Sequence, residues 1–246
     1  MLMSAPVAPF HFSRAARLWL LTACLVYALL GAMVGMSVDE AHYALYAVHL
    51  DWSYFDHPPL VGWLQWPLVA LGTPVGVLRL VAQALWLVTA VLVHGLALRL
   101  QGVQTPVTHT RGDAGAWAVA VVALAPLLHV LGIGLLPDTL LMALACAVMW
   151  VTLDLREAAA LHRWQQWCAL GLLLGLAGLS KYTAILWALA VALCLLNWHG
   201  VRVLRQPGLW LAVMLAAACI IPVLGWNYQH QWISFAYQLQ HGSGGG

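Results

Sequence analysis

Charge is what this sequence has least of. Of its 246 residues only 10 are lysine or arginine and 8 are aspartate or glutamate, against 63% hydrophobic. A soluble domain of that composition would expose too much apolar surface to stay dispersed, so the chain reads as a polytopic membrane protein. It contains no basic block, and the formal net charge is +2; this excludes a nucleic-acid partner. Cysteine is sparse too. Cys24, Cys146, Cys168, Cys194 and Cys219 all lie in apolar runs with no CxxC, so they read as small core residues, not as a disulfide framework or metal cluster. Lysine is nearly absent: Lys181 is the only one.

Long apolar runs are what the sequence has in plenty. Seven windows qualify, at about 18–36, 76–98, 114–135, 138–153, 166–179, 182–198 and 208–226, given the ~20 residues a membrane-spanning helix needs. The expected fold is an all-α polytopic bundle of about seven transmembrane helices. A shorter apolar stretch, 59–72, is broken by Pro67 and predicts a re-entrant or interfacial helix. Read as one helix, 166–198 would be about 50 Å long, too long for a bilayer. A hairpin with Ser180-Lys181 at its tip fits instead. The first run also matches a signal peptide's h-region, but it is long for one and no A-x-A site follows. It therefore reads as the first span.

The few basic residues give the chain a direction. With a cytoplasmic N-terminus, strict alternation puts Arg14, Arg17, Arg99, Arg111, Arg156, Arg163, Arg202 and Arg205 on the cytoplasmic side, as the positive-inside rule requires. The same alternation sends Arg79 and Lys181 outward, together with Asp39, Glu40, Asp51, Asp56 and Asp138, leaving Asp113, Asp154 and Glu157 inside. The predicted organisation is a cytoplasmic segment 1–17, a membrane domain 18–226 with an outer acidic loop 37–75, and an outer segment 227–246 with a Gly-rich end.

Four of the eight carboxylates sit in SVDEAHYALYAVHLDWSYFDHPPL, residues 37–60. Ala41, Ala44, Leu45 and Val48 recur at helical spacing, which predicts a short amphipathic helix at the membrane surface capped by Ser37. Asp56-His57-Pro58-Pro59 predicts a fixed turn back toward the membrane. Adjacent carboxylates at a water–lipid boundary suit a general base or a cation site; loop acids that merely solvate fit the same pattern. Asp138, after Pro137, reads equally as a helix cap or as part of a site. Asp39 and His42 share a helical face with His49 and His57 nearby, yet no third metal ligand has recognisable spacing. No metal is predicted, and cofactor use stays open. His94 and His129, in apolar runs, read as satisfied core residues.

DEAHYALYAVHLDWSYFDHPPLVGWL, the arginine of GVLRL, LLPDTLL, GLAGLSKYTAIL and WNYQHQWISFAYQLQHG, in that order, resemble the bacterial branch of the protein mannosyltransferase and aminoarabinose transferase superfamily, the GT-C fold glycosyltransferases of family 39. The resemblance implies transfer of a sugar from a polyprenyl-phosphate donor to a glycan, lipid or protein acceptor, outside the bacterial cytoplasmic (inner) membrane. It implies Asp39 as general base, Glu40 as its orienting neighbour, Arg79 and Lys181 as cations of the lipid-phosphate pocket, and His57 and Asp138 with them among the substrate- and phosphate-binding residues. It further implies that this chain is the N-terminal part of a longer protein. Two readings from other classes remain: a transporter or flippase of an anionic or lipid-linked substrate, and a non-catalytic assembly subunit.

Overall fold

A computed structural model describes residues 12–104 and 113–242. The predicted positions of Arg111 and of the Gly-rich end 243–246 fall outside them, as does most of segment 1–17. Among the described residues the structure is helical and contains no strand.

Eleven α-helices follow in order: α1 (Arg14–Met33), α2 (Val38–Val48), α3 (Leu60–Ala70), α4 (Val75–Gln104), α5 (Ala114–Leu124), α6 (Pro126–Ile133), α7 (Pro137–Asp154), α8 (Trp164–Ser180), α9 (Ile185–His199), α10 (Pro207–Gln229) and α11 (Ile233–Gly242). Their starts carry local signals. Ser13 accepts from the Ala16 N–H and caps α1, and Asp113 does the same for α5 from Ala116. Pro126, Pro137 and Pro207 occupy first helical positions, where a missing N–H costs nothing.

The predicted apolar runs coincide with these helices, and the all-helical membrane fold stands. Among the described residues five helical segments are long and apolar enough to cross a membrane, or six if a bent pair is one span, against the about seven expected. The expectation for 114–135 needs correction: it is not one straight span but α5 and α6, bent by 76°. Pro126 pushes Ala125 into extended backbone (φ −68°, ψ 121°), as a proline does to the residue before it. α8, at 17 residues, is not among the five. The tip between α8 and α9 forms where expected, with a short 3-10 turn at Tyr182–Ala184.

Contacts sort the helix ends into two sets. At one end the α4 residue Arg99 pairs with Asp154 of α7 at 2.7 Å, and His199 of α9 bonds the Leu155 carbonyl. At the other end lie the α1–α2 turn, the start of α4, the start of α7 and the α8–α9 tip, joined by the bonds described below.

α8 and α10 pack through small residues. Gly171, Gly175 and Gly178 line one face of α8, and a Cβ added at the first two would approach Ala212 O at 2.5 Å and Cys219 Sγ at 2.7 Å. Close backbone approach of this kind is how helices associate where water supplies no hydrophobic drive. The cysteines are free and half-buried, less enclosed than core residues. His94 corrects another expectation: it is fully buried and stacks on Phe12, yet neither ring nitrogen has a partner.

Gly175→Leu is expected to destabilise the protein by about 1–3 kcal/mol by overpacking this crossing, measured as a lower thermal midpoint in detergent. An unchanged midpoint would show that α8 and α10 do not pack this closely.

Candidate active site

The site is built on α2, whose start is fixed twice over. Ser37 Oγ accepts the Glu40 N–H at 3.2 Å while Glu40 Oε2 accepts the Ser37 N–H at 2.9 Å, a reciprocal capping box. The same Glu40 carboxylate receives Arg79 Nε and Nη2, each at 2.7 Å. Arg79 gives its remaining bonds to backbone: Nη1 to Gly31 O (2.9 Å) and Val34 O (2.7 Å), Nη2 to Gly35 O (2.8 Å). These carbonyls end α1, where helical geometry leaves them without partners. Burial pushes the Glu40 carboxyl up, but Arg79 and Ser37 outweigh it and hold the group below the usual carboxylate range. Gly134, between α6 and α7, leaves room for this carboxylate, since a Cβ there would meet Glu40 Cδ at 3.1 Å.

This geometry separates residues that the sequence presents as a pair. Glu40 is buried with both oxygens engaged, whereas Asp39 is exposed on the first turn of α2 and its carboxylate makes no hydrogen bond or ion pair among the described residues. Arg79 is 3% exposed, and all five of its N–H groups are engaged. It has no donor left for a phosphate, contrary to the expectation from the resemblance.

Lys181 and Asp138 meet at the same end. Lys181 Nζ lies 2.7 and 2.8 Å from the two Asp138 oxygens, and Ser180 Oγ donates to Pro137 O at 2.7 Å, tying the end of α8 to the start of α7. The pair is partly exposed. Asp138 does not cap α7; its side chain faces Lys181 instead.

Asp56, in the turn predicted from Asp56-His57-Pro58-Pro59, is not a solvating loop acid. It is buried, and three side chains converge on it: His42 Nε2 at 3.0 Å, His57 Nδ1 at 3.1 Å, and the Tyr46 hydroxyl. Burial raises its carboxyl, but His57, Tyr46 and His42 outweigh that and bring it from 3.8 to about 2. Tyr46 also stacks on Tyr54 at 3.5 Å. The signal that could have found this cluster is the i, i+4 spacing of His42 and Tyr46 on α2. Tyr43, next to His42, lies 3.5 Å from His57 Nδ1. Burial first, then the charges of Asp56, Asp39 and Asp138, push its hydroxyl up. Three carboxylates from two helices and the loop thus act on one phenol.

The loop is fastened to the far helices. Ser53 shares a 3.0 Å bond with Tyr182, the Ser234 hydroxyl donates to Tyr54 O at 2.5 Å, and Gln238 Nε2 donates to Asp56 O at 2.5 Å. Buried Asn227 holds the corner between α10 and α11: its carbonyl accepts the Trp232 N–H (2.8 Å) and its Oδ1 the Ser234 N–H (3.2 Å). Among the described residues no three His, Cys, Asp or Glu side chains are grouped to hold a metal.

With this geometry in hand, the model of the dolichyl-phosphate-mannose-protein mannosyltransferase family matches residues 56–226. The chain belongs to this family. The match takes in Asp56, His57, Arg79, Asp138 and Lys181; Asp39 and Glu40 lie just before it. The lipid A galacturonosyltransferase RgtD of Rhizobium johnstonii is 25% identical over 197 residues, which is 78% of this chain and 38% of that protein. The S. cerevisiae protein O-mannosyltransferase Pmt1-Pmt2 complex bound to the sugar donor superposes with a TM-score of 0.53 at 18% identity, over 96% of this chain and 36% of that one. This likeness shows the GT-C membrane fold. The chain spans little more than a third of the length of these relatives.

Because folding depresses the Asp56 carboxyl, its contribution to stability is complete above the ordinary 3.8 and is lost as pH falls toward about 2. The thermal midpoint is expected to fall over that window. Asp56→Asn should lower it at pH 5 and flatten the dependence, with Glu40 supplying the slope that remains. An unflattened slope would remove Asp56 from this role.

Proposed function

We propose that this chain carries the transfer centre of a membrane glycosyltransferase, which moves a sugar from a polyprenyl-phosphate donor to the hydroxyl of a glycan, lipid or protein. The observation that carries this reading is the division of labour in the Asp39-Glu40 pair. Glu40 is locked to Arg79 and orients α2; Asp39 is left open to accept a proton. A general base must be reachable and held by a rigid element, and Asp39, exposed on the capped first turn of α2, meets both requirements.

The other half of the chemistry is the departing lipid phosphate, which gathers negative charge as the glycosidic bond breaks. Lys181 is the cation available for it. Its pairing with Asp138 holds the ammonium in place while leaving it partly open, and His57, fixed through Nδ1 by Asp56, stands in the same loop system. Arg79 acts through Glu40 as a positioning residue. A lipid-linked donor is supported by an apolar groove of about 620 Å³ between α8, α9 and α10, lined by Leu170, Leu174, Ile185, Val213 and Phe235, with Tyr182 also lining it. Tyr182 is the residue after Lys181, so an acyl or prenyl tail in the groove would leave its phosphate near the ammonium. Family membership supports the same donor class. In this reading the site faces the outside of the bacterial cytoplasmic membrane, the N-terminus being cytoplasmic, as the arginine distribution favours.

Asp39→Asn in the full-length protein is expected to lower sugar transfer by about 10²–10⁴-fold, the usual worth of a general base. Thermal midpoint and membrane insertion should hold, because Asp39 supports no other residue. Full transfer activity in that variant would remove Asp39 as the base.

A further inference from the structure

A second cavity opens between the acidic loop and the end of α10. It measures about 610 Å³ and is lined by Asp51, Tyr54 and Phe55 from the loop and by Trp226, Gln229 and His230 from the end of α10, within the roughly 300–1,000 Å³ of small-molecule sites. We propose that this cavity binds the glycan part of the acceptor, as a neutral hydroxyl-rich sugar ring. The inference rests on the sugar-transfer reading above and adds a substrate subsite to it.

The chemistry of the lining selects this ligand. Trp226, Tyr54 and Phe55 give the cavity an aromatic lining of the kind that packs on the C–H face of a pyranose; His230 covers one face of Trp226 at 3.8 Å and 12°, and Tyr46 one face of Tyr54 at 3.5 Å, leaving a single face of each ring for a ligand. Around them stand groups that bind hydroxyls: the Gln229 amide donates and accepts, the His230 imidazole has Nε2 open with Nδ1 on the Trp226 carbonyl, and the Asp51 carboxylate accepts. The Asp51 carboxylate disfavours an anionic sugar. The same loop that lines the cavity with Tyr54 and Phe55 turns Asp56 inward to His42 and His57, and His49, which ends α2, also lines the cavity, so the cavity is built on the helix whose first turn carries Asp39.

The backbone at the rim is a second, independent observation. Gln231 and Trp232, directly after α10, both adopt left-handed φ values of 57° and 61°. Such conformations are unfavourable for residues with a Cβ and persist where the surroundings over-determine them, often at functional sites. Here Asn227 supplies the constraint through its bonds to Trp232 and Ser234. The strained corner presents Gln231 to the cavity.

The test is saturation-transfer NMR on the protein in phosphatidylcholine nanodiscs, with the methyl pyranosides of glucose, mannose and galactose at millimolar concentration and no donor present. Saturation transfer to at least one pyranoside is expected, weakened about tenfold in affinity by the double variant Gln229→Ala/His230→Ala, whose residues are exposed and whose thermal midpoint should hold. Asp39→Asn should bind the pyranoside as the unsubstituted protein does, so loss of transfer and loss of binding come apart. Three results would overturn the proposal: no transfer to any of the three sugars, a signal undiminished in the double variant, or saturation of the choline headgroup that the pyranosides fail to displace. The last would identify a lipid headgroup site.

Discussion

The buried Glu40–Arg79 ion pair is the constraint on which the site's end of this protein depends. Taking a carboxylate and a guanidinium out of water carries a heavy desolvation cost, offset only when geometry is good and every remaining polar atom finds a partner. Both conditions hold here. The pair is bidentate, the second carboxylate oxygen also accepts the Ser37 N–H, and Arg79 closes the free carbonyls of Gly31, Val34 and Gly35. One side chain thereby joins the end of α1, the start of α2 and the body of α4.

The rest of the site follows from the direction that this junction gives α2. With its N-terminus fixed, the face carrying His42 and Tyr46 turns toward Asp56, and Tyr46 stacks on Tyr54 of the loop. The loop in turn bonds to Tyr182, Ser234 and Gln238, so elements more than a hundred residues apart in sequence share one hydrogen-bonded frame. Asp39, one residue from the anchor, stays exposed on the first turn of the helix that the anchor fixes. The members of this adjacent acidic pair thus stand differently: one is buried and holds, the other is open.

The sequence made legible whatever depends on neighbours along the chain. The spans, the Ser37 cap, the Lys181 tip and the two-ended distribution of arginines all follow from runs, caps and alternation, and the helices lie where those signals put them. The bend at Pro126 was equally local; a proline after Ala125 carries its own warning. Two features were not legible, because their meaning lies in distant partners. Arg79 looked like a free cation until Glu40, 39 residues away, and the end of α1 used all of its donors. Asp56 looked like a solvating loop acid until α2 folded back over it with His42 and Tyr46, and His57 closed from the adjacent turn.

A double-mutant cycle tests whether Glu40 and Arg79 act as one structural unit and not as separate ligands. Glu40→Gln, Arg79→Gln and the double variant would be compared by equilibrium unfolding in detergent. The account predicts a coupling free energy of about 2–3 kcal/mol, each single change leaving a buried charge unpaired and the double change relieving it. Single effects that add to within about 0.5 kcal/mol would contradict it.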